Sequence, residues 1–315
     1  MVGTLLHAIG IAVQLTLLLG VVLAVGCDHL GGDEPEPRGR RDPATRGDAR
    51  RGDAPRDDAP RPAVPPYEPI TVVNGGTITG TVSWSGELPE LAPIAVSTHR
   101  EACGETQRPP VLEVDRRGGV AGTVVWLDAV RRGRAAVVPA EPVEVVVEGC
   151  RFRPHVIAVP VGARVAFRNA DPVLHNVRGA PWRLGAIARG AEDGVFSRGL
   201  PEAGSVEEVT IERTGLVRLV DDAAHPWMLA WIHAFEHPYF AVSDAAGHFQ
   251  IVGIPTGQYT LRAWHEGIRP TGATEAGRPV YSSPIVLTRP IAVQSGHDST
   301  VDFVITPEAA EAAGG

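Results

Sequence analysis

The fold is decided by the stretch Val165-Ala166-Phe167-Arg168-Asn169-Ala170-Asp171-Pro172-Val173-Leu174-His175-Asn176-Val177, read together with Val220-Asp221-Asp222-Ala223-Ala224-His225-Pro226-Trp227-Met228. Both lie within residues 141–231. In the first, an apolar period of two breaks at Asn, Asp and Pro, which predicts a β-strand followed by a turn that ends just before His175. In the second, the one methionine besides Met1 stands three residues after His225. We therefore expect His175, His225 and Met228 to meet at one end of a β-sandwich.

These phrases resemble the cupredoxins, in particular the bacterial proteins called methylamine-utilisation-like, which join a plastocyanin-like domain to a carboxypeptidase-regulatory (transthyretin-like) domain. The resemblance covers most of the chain from about residue 70, and it also includes the phrases Cys150-Arg151-Phe152-Arg153-Pro154-His155-Val156 and His237-Pro238-Tyr239-Phe240-Ala241-Val242. In that family a blue-copper ligand set is one His, a Cys three residues before a second His, and a Met three residues after it. The resemblance implies copper ligation by His175, His225 and Met228.

The fourth ligand of that set is missing. Asp222 stands where the family pattern has the thiolate, and no cysteine follows Cys150. A blue site needs two His and one Cys around copper with a weak axial Met. We therefore expect a weak or non-blue copper site in which Asp222 replaces the thiolate and favours Cu(II) or another divalent ion. A solvated Asp221-Asp222 turn without any metal role is the alternative.

Length and composition set the limits for other functions. The chain has 315 residues and a net charge of −8, which predicts one to three domains and no basic surface for nucleic acid. It contains no Gly-x-Ser-x-Gly, phosphate-loop, Cys-x-x-Cys-His or dinucleotide motif, so we expect no enzymatic activity. The phrase His233-Ala234-Phe235-Glu236-His237 matches the inverted zincin pattern, but its apolar and aromatic neighbours favour a strand over the helix that this pattern requires.

The N-terminus predicts export. An apolar run from Leu5 to Gly26 ends in small residues before Cys27, which is typical of a signal peptide with a lipobox at residues 1–27 and lipidation of Cys27. An uncleaved membrane anchor is the alternative. Residues 28–68 are rich in Pro, Arg, Asp and Gly, which predicts a disordered linker. Either reading gives an extracytoplasmic, membrane-anchored protein, periplasmic or on the cell surface.

The remaining cysteines fit that compartment. With Cys27 lipidated, Cys103 and Cys150 are left as a pair in an oxidising environment, and we hypothesise that they form a disulfide. Two separate buried thiols are the alternative.

Short β-branched runs bounded by glycine flank the central stretch, and the chain is predicted to be all-β. Each flank alone offers too few strands for a core. We therefore predict that residues 69–136 and 238–306 form one discontinuous transthyretin-like domain, into which a cupredoxin-like Greek-key sandwich at residues 137–237 is inserted. Three domains in series are the alternative.

Three functions follow from this reading. The first is copper binding for copper handling, with a redox or copper-accepting protein as partner. The second is electron transfer, by analogy with the family. The third is a structural or carbohydrate-binding-like sandwich with a decayed metal site, in which exposed Trp84, Trp126 or Trp264 would stack on sugars.

Overall fold

A computed structural model describes residues 66–182, 196–221, 224–275 and 277–312. Strands make up nearly all of the regular structure in these ranges, so the predicted all-β class is confirmed. The two helices there are short, and none is long and apolar enough to cross a membrane. The predicted signal peptide and Cys27, almost all of the linker, and Asp222 lie outside the described residues.

The bounds of the elements are as follows, in chain order: β1 (Glu68–Pro69), β2 (Gly76–Trp84), β3 (Ile94–Ala95), α1 (Arg100–Cys103), β4 (Thr106–Gln107), β5 (Val124–Asp128), β6 (Arg132–Gly133), β7 (Val143–Val147), β8 (Phe152–Arg153), β9 (Val156–Pro160), β10 (Arg164–Asn169), β11 (His175–Trp182), β12 (Phe196–Leu200), β13 (Val206–Thr210), β14 (Gly215–Asp221), β15 (Leu229–Phe235), β16 (Phe240–Val242), β17 (His248–Ile254), β18 (Gly257–His265), β19 (Pro270–Ala273), β20 (Pro279–Tyr281), β21 (Ile285–Val293), β22 (Asp298–Thr300), β23 (Phe303–Ile305) and α2 (Pro307–Ala312).

Strands β7–β15 form one sandwich, called the central sandwich below. Its sheets have the orders β13-β10-β7-β8 and β12-β11-β14-β15-β9, with β7/β10 and β9/β15 parallel and the other pairs antiparallel. Alternate residues of β7 and β10 point inward, and Val145, Val147 and Phe167 meet Leu219 and Ile232 of the opposite sheet. This apolar layer closes the core, and the antiparallel pairing of β11 with β14 sets which of their ends lie together.

A second sandwich, called the flanking sandwich, contains sheets β16-β5-β18-β21 and β17-β2-β22, with β23 also pairing with β2. Its core includes Ile78, Leu127, Tyr239, Phe249 and Leu261. Strands β2 and β5 precede the central sandwich in sequence, whereas their partners β16–β18 and β21–β23 follow it. The domain boundaries and the transthyretin-like family of this sandwich stay predictions.

The two sandwiches share a small apolar cluster of Val124, Val156, Trp231 and Trp264. The indoles of Trp231 and Trp264 pack edge to face with their ring centroids 5.5 Å apart. Because Trp231 is in β15 and Trp264 is in β18, this cluster joins the central sheet to the flanking one.

Candidate metal centre

Two neighbouring strands bring the predicted ligands to one end of the central sandwich. His175 is the first residue of β11, and Asp221 is the last residue of β14. These strands are antiparallel, with Val177 opposite Asp221, so His175 lies just beyond the end of β14. His225 follows in the connection between β14 and β15. His175, Asp221 and His225 are all fully buried.

One carboxylate oxygen joins the two imidazoles. Asp221 Oδ2 accepts hydrogen bonds from His175 Nδ1 at 2.9 Å and from His225 Nδ1 at 2.7 Å. The centroids of the two imidazole rings are 4.4 Å apart. The cluster therefore offers three possible ligand atoms within 4.8 Å of one another: a ring nitrogen of His175, a carboxylate oxygen of Asp221 and a ring nitrogen of His225.

A second carboxylate supports His175 from the other side. Asp171 Oδ2 is 3.1 Å from His175 Nε2, and it also accepts the backbone N–H of Cys150 at 2.8 Å. The other oxygen, Oδ1, accepts the N–H of Gly149 at 2.7 Å, and Asn169 Oδ1 accepts the N–H of Asp171. The Asn-Ala-Asp turn noted in the sequence thus holds a carboxylate in place behind the first imidazole.

The electrostatics of the cluster favour a cation. Burial opposes ionisation of Asp221, but the hydrogen bonds from His175 and His225 outweigh it and hold the pKa of this carboxyl well below its usual range. The pKa of Asp171 is also lowered against the effect of burial, by His175 and two backbone N–H groups. Burial lowers the pKa of His175, but the two carboxylates outweigh it and raise it overall. Two carboxylates with lowered pKa values therefore face His175, whose own pKa is raised, in a buried cluster.

A third imidazole, which belongs to no recognisable sequence motif, reaches this cluster. His99 Nδ1 is 3.0 Å from His225 Nε2, across 126 positions of sequence. His99 directly precedes α1 and has a left-handed backbone conformation, with φ 52°. It belongs to residues 94–107, called the covering segment below, and the neighbouring Thr98 hydroxyl donates to the carbonyl of Ala224.

A disulfide between Cys103 and Cys150 fastens the covering segment to the central sandwich. Both cysteines are buried, and the carbonyl of Cys150 accepts a hydrogen bond from Trp227 Nε1 at 3.2 Å. The sulfur atoms of both cysteines lie within 4.8 Å of a ring nitrogen of His225. The sulfur of Cys150 is equally close to ligand atoms of Asp171 and His175.

Of the other two predicted ligands, Met228 is among the described residues and Asp222 is not. Met228 is 2% exposed in the core of the central sandwich, where it lines a small cavity with Cys150 and Trp227. Its backbone N–H donates to the carbonyl of His225 at 2.9 Å. The carboxylate that contacts both imidazoles belongs to Asp221, the residue before Asp222, and ligation by Asp222 stays a prediction.

Two weaker sequence motifs take structural roles. His233 is in strand β15, as its apolar and aromatic neighbours predict, and not on the helix that the inverted zincin pattern requires. Of the three tryptophans proposed for sugar stacking, Trp84 and Trp264 are not exposed. Trp84 and Trp264 are buried in apolar clusters, and Trp126 is half-buried against Phe235. Their apolar rings complete the cores of an all-β chain with few aromatic residues.

No family model and no curated protein sequence matches this chain. Among solved structures, the purple cupredoxin of Nitrosopumilus maritimus is 19% identical over 30% of this chain and 99% of its own, with a TM-score of 0.24. Amicyanin of Paracoccus versutus is 20% identical over 31% of this chain and 85% of its own, with a TM-score of 0.25. The copper-containing nitrite reductase of Thermus scotoductus SA-01 is 21% identical over 32% of this chain and 25% of its own, with a TM-score of 0.23. The likeness concerns about a third of this chain, and the copper in these names belongs to those proteins.

Proposed function

We propose that this protein is a membrane-tethered, extracytoplasmic copper-binding protein that holds the ion through His175, His225 and Asp221. The observation that carries the proposal is the convergence of two buried imidazole Nδ1 atoms on one buried carboxylate oxygen. The tether at Cys27 and a copper-accepting partner belong to the same proposal and rest on the sequence.

The donor set fits a first-row divalent ion. Ligands bound at about 2.0–2.1 Å in tetrahedral or square geometry stand about 3 Å apart. The two nitrogen–oxygen distances are 2.9 and 2.7 Å, so the site needs little rearrangement to hold such an ion. Imidazole with carboxylate suits Cu(II) and Zn(II) better than Cu(I).

Binding of the ion would depend on protons carried by the ligands themselves. In the metal-free cluster both Nδ1 atoms carry a proton that is donated to Asp221, and a ligating imidazole must release that proton. Asp171 would keep its contact with His175 Nε2, and so orient the ring while Nδ1 faces the ion. When bound, copper would supply a Lewis-acidic, exchangeable centre.

The colour and redox behaviour follow from the missing thiolate. Cys103 and Cys150 are bridged, so neither offers a thiolate in the oxidised protein. A blue site needs a short copper–thiolate bond. We therefore favour copper handling over electron transfer.

The test is a Cu(II) titration of the full-length protein in mild detergent, under oxidising conditions. We expect one equivalent of copper per chain, nitrogen hyperfine couplings from two imidazoles in the paramagnetic spectrum, and no intense visible thiolate band. Asp221→Asn should weaken Cu(II) binding by about tenfold or more, because the amide brings no charge.

The matched control is Asp298→Asn, because Asp298 is exposed on β22 in the flanking sandwich. It should leave Cu(II) binding unchanged. The proposal fails if the native protein takes up neither Cu(II) nor Zn(II), if Asp221→Asn binds copper as well as the native protein does, or if a strong thiolate band appears.

A further inference from the structure

The disulfide lies against the imidazole cluster and not in a remote part of the core. Cys103 and Cys150 are 4% and 0% exposed, and their sulfur atoms are both within 4.8 Å of a ring nitrogen of His225. Two cysteines and one histidine are also a donor set that proteins use to hold soft metal ions.

We propose that reduction of the Cys103–Cys150 disulfide creates a second metal site, formed by the two cysteine sulfurs and a ring nitrogen of His225, which takes a soft ion of the Cu(I) type. This inference rests on the proposed function, since it shares His225 with the Cu(II) site and gives copper handling a redox control. The Cu(II) donors are nitrogen and oxygen, whereas the new donors are chiefly sulfur, so the two sites select different oxidation states.

The geometry asks for only a small movement. Two thiolates bound to one ion at about 2.3 Å each in tetrahedral geometry stand about 3.8 Å apart. The Cα atoms of Cys103 and Cys150 are 5.2 Å apart. With the backbone at this distance, rotation of the two side chains is enough to place the sulfur atoms at that separation. Trp227 also stays in place, since its indole N–H donates to the backbone carbonyl of Cys150 and not to its sulfur.

The redox step balances as a thiol–disulfide exchange. A dithiol reductant outside the cytoplasm gives two electrons and two protons to the Cys103–Cys150 bond and becomes a disulfide itself. The sulfur–sulfur bond breaks and two thiols form. Binding of the soft ion then releases the two thiol protons to solvent, because thiolate is the ligating form.

The covering segment stays attached when the bridge opens. The Thr98 hydroxyl donates to the carbonyl of Ala224, and Gln107 Nε2 donates to the carbonyls of Gly149, at 3.0 Å, and of Cys103. These hydrogen bonds keep Cys103 close to Cys150 in the reduced protein. Without the covalent link, the covering segment can also move away briefly from the central sandwich. This movement would admit an ion to the buried site. Both ring nitrogens of His225 have partners, Asp221 and His99, so the ion would replace one of these two contacts.

The test compares Cu(I) binding by the full-length protein with the disulfide intact and reduced. Ascorbate keeps copper as Cu(I) without opening the bridge, whereas a phosphine opens it and is then removed under anaerobic conditions. Competition with bathocuproine disulfonate should show binding that is at least about tenfold tighter after reduction, with a new thiolate-to-metal absorption in the near ultraviolet. Reoxidation should reverse both changes.

The variant Cys103→Ser/Cys150→Ser should lose this gain and still bind Cu(II) through His175, His225 and Asp221. The native comparison and the absorption change stand without that variant if it does not fold. Unchanged Cu(I) affinity on reduction, no thiolate absorption, or loss of the near-ultraviolet circular dichroism of the reduced protein would each overturn the inference. Cu(II) binding by the oxidised protein would then still support the proposed function. Conversely, if the reduced protein binds Cu(I) through thiolates but the oxidised protein takes up no Cu(II), the second site is supported and the proposed Cu(II) site is refuted.

Discussion

Asp221 shows how a buried charge is stabilised at one end of the central sandwich. An isolated carboxylate in a water-excluded core would be strongly destabilising. Here two imidazole N–H groups at 2.9 and 2.7 Å provide charge-assisted hydrogen bonds that offset the loss of water. Apolar residues of similar volume stabilise a core at least as well as a buried array of charged and polar groups. The His175–Asp221–His225 array is therefore better explained by a binding role than by a contribution to stability.

His233 makes the stability of the folded protein depend on pH through a single residue. Its side chain is buried between Trp264 and Phe235, and its Nε2 atom has no hydrogen-bond partner among the described residues. Burial lowers the pKa of His233 to about 3. The unfolded chain takes up a proton near pH 6.5, whereas the folded protein does so only near pH 3. This residue therefore contributes full stability above pH 6.5, and the contribution is lost as the pH falls from 6.5 toward 3.

The variant His233→Phe tests this directly. Between pH 7 and pH 5 the native protein should lose about 2 kcal/mol of unfolding free energy through this one residue, and the variant should not. At pH 7 the variant should be about as stable as the native protein, because Nε2 makes no hydrogen bond among the described residues and a phenyl ring has nearly the same shape. Urea denaturation at both pH values measures the difference. An equal pH-dependence in the two proteins would contradict it.

The residues of the site were predictable to different degrees. His175 and His225 stand beside turn residues at strand ends, and such local signals are readable from sequence. That Asp221 faces the two imidazoles depends on strand register, because a shift of one residue turns every side chain to the other face. His99 comes from a segment 126 positions away from His225, and nothing local to His99 marks it as a partner.

At the scale of elements, the close packing of β2 rests on a missing side chain. Gly80 pairs with Phe249 in β17. A Cβ atom at Gly80 would lie 1.9 Å from the carbonyl oxygen of Val301 and 2.7 Å from the ring of Phe249. Neither the backbone nor the packed ring can give way cheaply, so an added methyl group must push the strands apart.

Gly80→Ala is therefore expected to cost about 2–3 kcal/mol of unfolding free energy. Gly199→Ala is the matched control, because Gly199 is also in a strand, β12, and a Cβ there meets nothing within 4 Å. The control should change stability by less than about 0.5 kcal/mol. Urea denaturation of both variants measures this, and equal midpoints for Gly80→Ala and the native protein would show that the sheet yields at this position.

The elements themselves followed well from pattern. Two strands around a glycine turn were expected at residues 240–251, and the structure has β16 and β17 there. The covering segment was not expected, because its strands β3 and β4 are two residues long and its helix α1 has four residues. Such short elements have no period to detect, and tertiary contacts hold them in place.

At the scale of the whole molecule, the two sandwiches are joined by a buried polar contact as well as by indole packing. Glu266 directly follows β18 of the flanking sandwich. Its Oε2 accepts the indole N–H of Trp231 at 2.8 Å, and its Oε1 contacts His155 Nε2. Burial raises the pKa of Glu266, but His155 and Trp231 outweigh this and lower it overall. An ionised carboxylate of one sandwich is therefore held by two residues of the other.

Glu266→Gln should uncouple the two sandwiches. The amide removes the negative charge and keeps only one acceptor oxygen for the two groups that contact Glu266, so a buried polar group is left imperfectly paired, which should cost about 3 kcal/mol. The core of each sandwich stays intact, since neither apolar cluster includes Glu266. In scanning calorimetry of the full-length protein we expect one transition for the native chain and two for the variant, with the exposed Glu202→Gln as control. A single transition at the native temperature in Glu266→Gln would mean that the apolar cluster around Trp231 and Trp264 alone couples the halves.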